Sequence, residues 1–358
     1  MTTPNASSCA AQGGRIIALD AMRGLAAVCV VIHHEAAYHS SIGILPRGYL
    51  AVDFFFLLSG FVLTPVFEQR LAQGVRPMRL LAERYARLMP VMAIGIAIGA
   101  AAHATDHGTW QAFLSMILAL LLIPSITGQG AIYPANGPMW SLAFELFANT
   151  VHVLLLDRLK NWQLLMISAA CGVGAAFATL ITGDISFGDV TADWGYGFFR
   201  IGLSYPLGIV LARLHRSAKR RWQVNWAIPV LLLPAILLGA QWLPRIGGDL
   251  LLVILVMPAL LWVSASVSVP QRAMPALRWL GEISYPVYAV HVPILAFTIL
   301  VAGKFGWQDT LWFRSAVFAA ILAASARIAA SPLVKGVRLP DHLWRPAHFE
   351  LPQGHANG

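Results

Sequence analysis

Charge is scarce in this sequence. Only 11% of its 358 residues are Asp, Glu, Lys or Arg, where a water-soluble domain carries about a quarter, and that deficit excludes a soluble globule. Disorder is excluded as well, because it needs low hydrophobicity and high charge, whereas 58% of this chain is apolar and its mean hydropathy is +0.68. Three cysteines cannot build a disulfide framework. Cys9 sits in a polar stretch, and Cys29 and Cys171 fall in apolar runs as small hydrophobes. No fixed repeat suggests a solenoid, and no glycine-rich nucleotide loop follows a strand. His33 and His34 are adjacent and diverge on a helix, and no His, Cys and carboxylate spacing closes into a metal site.

Long uncharged runs are present instead. Stretches 88–105, 107–144, 163–183, 222–244, 250–271 and 283–303 contain no Asp, Glu, Lys or Arg. Four more, 16–35, 48–67, 196–214 and 311–330, carry only a few charges each. About 20 mostly apolar residues cross a bilayer as a helix, so the fold class is all-α, a polytopic helical bundle. The first run contains Asp20 and Arg23 and leads straight into further spans, so it is read as a retained span rather than a removable leader. Pro124, Gly128, Gly130, Pro134, Gly137 and Pro138 break the run 107–144, leaving a short piece, 111–123, and a span at about 139–156.

Orientation decides what the short piece does. If 111–123 crossed, the basic loop from Arg213 to Arg221 would fall outside, against the positive-inside rule. With that piece re-entrant or interfacial, ten spans result and both termini are cytoplasmic. Arg47, Arg245 and Lys304 then fall in outer loops, Arg23, Arg200 and Arg314 lie within spans, and the rest of the 25 Lys and Arg are cytoplasmic. This partition accounts for the net charge of +9 without a nucleic-acid partner. The expected organisation is a tail at 1–15, a transmembrane domain at 16–330 and a second tail at 331–358.

Ionisable groups inside spans are costly and mark candidate sites. Arg23 and His34 are eleven residues apart, so they share a helix face about 16 Å apart along the axis, with small residues between them. Asp53 precedes a phenylalanine run and reads as a functional carboxylate or as an N-cap; Ser59-Gly60 reads as a close-packing spot. Arg84 and Arg87 share a face before the third span, either as positive-inside anchors or as paired forks for phosphate. Glu145 ends the long uncharged run in the outer half of its span, four residues after Ser141, and a partner such as His34 is expected for it. Ser284, Tyr288 and His291 form an i, i+4, i+7 polar stripe. A transporter or flippase would also bury charges in a helical bundle, so two readings stand at this point.

Together these segments resemble the acyltransferase-3 family of bacterial integral membrane O-acyltransferases. The resemblance rests on Arg23 and His34, on Val52-Asp53 through Ser59-Gly60-Phe61, on Arg84, Arg87 and Pro90, on Trp140-Ser141-Leu142 with Glu145, and on Ile283-Ser284-Tyr285 with Tyr288 and His291. They follow in matching order from about residue 15 to 332. The resemblance implies a stand-alone member in the bacterial inner membrane. It implies transfer of an acyl group, usually acetyl from acetyl-CoA, to a hydroxyl of a sugar or glycoconjugate, with acyl-CoA as donor substrate and no permanently bound cofactor. On that footing His34 is the expected general base, oriented by Glu145 or Asp53, and Arg23 stabilises the donor or developing charge. Arg84 and Arg87 would meet the CoA phosphates, Ser141, Ser284 and Tyr288 would line the channel, and His291 is a second candidate base.

Overall fold

A computed structural model describes residues 16–38, 43–126, 130–218, 224–307 and 310–335. The tail expected at 1–15, most of that expected at 331–358, and residues 219–221 of the basic loop lie outside the described residues. The described chain is helical throughout, with one isolated antiparallel bridge between Ala131 and Val190.

Helix α1 spans Ile17–Tyr38, α2 Leu50–Ala72, α3 Pro77–His107, α4 Thr109–Leu120, α5 Met139–Leu154 and α6 Asn161–Thr182. Then follow α7 at Gly197–Ser217, α8 at Ala227–Gly239, α9 at Arg245–Leu251 and α10 at Met257–Ser266. The last long helices are α11 at Met274–Gly303 and α12 at Leu311–Ala330. A π-helical turn, Leu252–Val256, joins α9 to α10 into one continuous rod. Among the described residues eight helices are long and apolar enough to cross a membrane. The other two expected crossings are the shorter α5 and the stretch Ala227–Trp242.

The twelve residues of α4 reach about 18 Å, well short of the roughly 30 Å hydrocarbon core. Helix register decides whether α4 nonetheless counts as a crossing. Gly99 packs on Ala135 and Gly95 on Asn136, just ahead of α5, while Arg84 of α3 meets Glu145 of α5. The pairing therefore runs in opposite directions, so α3 and α5 are antiparallel. A crossing between them would have made them parallel. Instead α4 descends beside α3 from Gly108, whose φ of 86° supplies the left-handed turn, until the Tyr85 hydroxyl donates to the Leu120 carbonyl at 2.7 Å. The chain turns at Leu122, the one non-glycine described residue with positive φ, and the Tyr133 hydroxyl holds its carbonyl at 2.8 Å. The segment is re-entrant.

Two close crossings set the site. Helices α1 and α11 run parallel, as the pairs Arg23–Ser284 and His34–His291 require, and they touch where Gly24 packs on Leu280 and Gly281 on Asp20, an added Cβ there lying 2.4–2.6 Å from its nearest neighbour. Helices α2 and α7 run parallel, with Asp53 on Arg200 and Glu68 on Arg213, and they touch at Gly60 against Tyr205 and Gly208 against Leu57, an added Cβ lying only 2.2 Å from a carbonyl oxygen at each. The Ser59-Gly60 step is thus the packing spot its small residues suggest.

Candidate active site

The polar side chains of the spans gather along α1 and α11, in an order that follows both helices. At the end of this line nearer the start of α1, Arg23 donates from Nε to Ser284 Oγ at 2.9 Å and from Nη2 to the Gly281 carbonyl at 2.9 Å and to Asp20 at 3.2 Å. Its side chain remains 36% exposed. The glycine contacts at Gly24 and Gly281 let the two backbones approach closely enough for this clamp.

Midway, Ser141 donates to the Pro138 carbonyl at 3.1 Å, which leaves the Tyr288 hydroxyl as donor in its 2.5 Å contact with Ser141. The Tyr288 ring lies against Phe55 and His291. Toward the C-terminal end of α1 His34 and His291 meet, Nδ1 to Nε2, at 3.2 Å. The expected polar stripe of α11 therefore serves three different partners, with Ser284 on Arg23, Tyr288 on Ser141 and His291 on His34.

Glu145 does not meet His34. It accepts from Ser59 Oγ at 2.7 Å and from the Arg84 guanidinium. The helix geometry is the reason. Because α5 is antiparallel to α3 and starts beside Gly95, its seventh residue comes within reach of Arg84, the eighth residue of α3. Arg84 turns inward for this pair, and its buried Nε has no partner among the described residues. Arg87, one turn on, is exposed.

Asp53 does not orient His34 either. Both its oxygens are taken by Arg200, Nε to Oδ1 at 3.1 Å and Nη2 to Oδ2 at 2.7 Å, in a fully buried pair. Arg200 also donates to the carbonyls of Phe187 at 2.9 Å and Tyr49 at 3.2 Å, and its guanidinium lies over the Trp140 ring. It thereby ties α2, α7 and the loop before α7 together, a role the lone arginine in an apolar run gave no hint of. Two further ion pairs lie near the histidine end of α1. Arg47 and Asp249 meet at 2.7 Å with the Tyr49 hydroxyl on the same carboxylate, and Glu35 takes a two-pronged bond from Arg314 at 2.6 and 2.7 Å.

A polar stripe on α5 also escaped the sequence reading. Ser141 and Glu145 continue through Asn149 and His152, at i, i+4, i+8 and i+11, on one helical face. The Tyr205 hydroxyl donates to Asn149 at 2.8 Å and contacts His152 Nδ1 at 3.1 Å, all fully buried. The spacing from Ser141 is the signal that finds Asn149 and His152, whereas a search for Asp, Glu, Lys and Arg within spans does not, since neither is one of these. Among the described residues no cluster of three or more His, Cys, Asp or Glu could hold a metal ion.

A parallel pair of helices carrying Arg23, His34, Ser284 and His291, inside an all-α membrane bundle, defines the class. The acyltransferase-3 family model, described as an acyltransferase domain, matches residues 16–329, and the chain belongs to that family. It is an integral membrane acyltransferase. Among curated proteins it is similar to the exopolysaccharide production protein ExoZ of Rhizobium meliloti (strain 1021), 25% identical over 295 residues, 78% of this chain and 85% of that protein. It is also similar to Protein 2 in picA locus of Rhizobium radiobacter, 32% identical over 181 residues, 44% of this chain and 92% of that protein. No solved structure matches it.

Proposed function

We propose that this protein transfers an acetyl group from cytoplasmic acetyl-CoA to a hydroxyl of a polysaccharide or glycoconjugate at the outer side of the bacterial inner membrane, with both termini cytoplasmic. The observation that carries this reading is the ordered polar line between α1 and α11. It begins at a partly exposed arginine, Arg23, near the inner end and finishes about 16 Å further along α1 at a histidine pair. Cations at one end and a base at the other suit an anionic donor entering from the cytoplasm and an alcohol arriving from outside.

In this reading Arg23 and Arg84 receive the donor. The unpaired Nε of Arg84 and its shared carboxylate supply a site where an anion competes with Glu145. Ser141 and Tyr288 line the path of the thioester arm. His34 takes the proton of the acceptor hydroxyl as its oxygen attacks the thioester carbonyl. The carbon–sulfur bond then breaks, and the departing thiolate recovers that proton from His34 to leave as free CoA. The acceptor class is supported by the name of the ExoZ relative, an exopolysaccharide production protein.

The test is label transfer. Membranes incubated with acetyl-labelled acetyl-CoA and candidate glycans are expected to release free CoA only when acceptor is present, with label in the glycan. His34→Ala is expected to abolish both. Normal turnover by that variant, or movement of a substrate without CoA release, would reject the proposal.

A further inference from the structure

We infer that His291 is a positioning residue. It accepts the Nδ1 proton of His34, and so leaves His34 Nε2 as the nitrogen that takes the proton in the reaction. The inference rests on the reading of His34 as the base and specifies which of its atoms acts.

The hydrogen-bond partners fix the two rings without ambiguity. His291 Nδ1 lies 2.8 Å from the Tyr288 carbonyl and 3.1 Å from the Val287 carbonyl. Carbonyl oxygens only accept, so His291 Nδ1 carries a hydrogen, and in the neutral ring Nε2 carries a lone pair. That Nε2 faces His34 Nδ1 at 3.2 Å. His34 Nδ1 also lies 3.1 Å from the Val30 carbonyl, so it too must bear a hydrogen. One N–H then divides between Val30 O and His291 Nε2. Three backbone carbonyls on two helices agree on one arrangement, and the opposite tautomers would set lone pairs against all three.

His34 Nε2 is then an open acceptor with no hydrogen-bond partner among the described residues. When it receives the hydroxyl proton, the positive charge that develops on the ring is met at Nδ1 by the lone pair of His291. The arrangement does what a carboxylate does behind a catalytic histidine, holding rotation and tautomer, but with a neutral group. A neutral partner suits this place in the bundle. The nearby carboxylates are already committed, Asp53 to Arg200 and Glu35 to Arg314, and a further buried carboxylate would add an unpaired charge. His33 is set apart by the same reasoning. Its Nδ1 donates to the Leu45 carbonyl at 2.9 Å, so it is anchored to the loop ahead of α2 rather than to α11.

Two measurements test this. Ring-nitrogen NMR of 15N-histidine-labelled protein in lipid nanodiscs, at mildly alkaline pH and with His34→Gln and His291→Gln used only for assignment, is expected to show both rings neutral with hydrogen on Nδ1. Finding His34 with hydrogen on Nε2 overturns the inference, whatever the activity. In turnover assays His291→Leu is expected to lower kcat about 10–100-fold, the usual effect of losing such an orienting partner, with each KM within about threefold. His291→Gln, whose carboxamide oxygen can accept the same proton, is expected to recover most of that loss. Wild-type kcat in His291→Leu, or a loss confined to KM, overturns it. Should His34→Ala stay active, the reading of His34 as base falls instead, and the NMR result stands apart from it.

Discussion

The Asp53–Arg200 pair gives the sharpest separation of structure from chemistry. Asp53 stands in the segment that resembles the family pattern, yet both its oxygens are bound to a buried guanidinium at 3.1 and 2.7 Å. Removing the carboxylate alone, as in Asp53→Ala, leaves Arg200 charged and unmatched in the apolar interior. Breaking a buried pair in this way costs about 3–5 kcal/mol. Arg200 keeps its bonds to the Phe187 and Tyr49 carbonyls, which places the cost toward the lower end of that range. Replacing both partners with apolar residues, Asp53→Leu with Arg200→Met, removes the uncompensated charge and is expected to recover much of the loss. The assay is a double-mutant cycle on thermal unfolding of detergent-purified protein, with acyl transfer measured on the same samples. A strong favourable coupling between the two positions is expected. If Asp53→Ala unfolds at the wild-type temperature while activity vanishes, the carboxylate acts on substrate and the structural account is wrong. Additive single effects would refute it equally.

Three further predictions follow from the described geometry. With α4 re-entrant, single cysteines at Gly108 and Gly137 are expected to react with an impermeant maleimide from the same side of sealed vesicles; opposite sides would mean that α4 crosses. Arg84→Ala is expected to raise the donor KM by about tenfold or more, the loss of one charge-assisted bond of about 1.5–3 kcal/mol, whereas exposed Arg87→Ala has the smaller effect in the same titration. Gly24→Val sets a side chain against the Leu280 backbone, where an added Cβ would already lie 2.5 Å from the carbonyl oxygen. It is expected to cost about 1–3 kcal/mol and to spread α1 from α11, so that Arg23 loses Ser284 and turnover falls. Gly137→Ala, which meets nothing within 4 Å, serves as the neutral comparison in the same melting and turnover assays.

The helical class and the non-crossing segment were legible because hydropathy and basic-loop placement are properties of whole stretches. Helix extents were less so. The charges at Arg84, Arg87 and Asp249 cut the apolar runs short, although α3 begins at Pro77 and the rod through α9 and α10 begins at Arg245. The partners were the least legible. Spacing on one helix puts Arg23 and His34 on a common face, but which carboxylate reaches which cation depends on helix neighbours that no single stretch encodes. Glu145 went to Arg84 rather than to His34 because of the direction and length of α5. Arg200, placed within a span by the sequence but given no partner there, holds Asp53.

The polar line of the candidate site is shared by α1 and α11, far apart in sequence but side by side and pointing the same way. A growing polypeptide therefore carries no assembled site until α11 has been synthesised and inserted. The joint between α10 and α11 becomes a natural place to divide the gene, and two separately expressed fragments would recover turnover only by docking α11 back against α1.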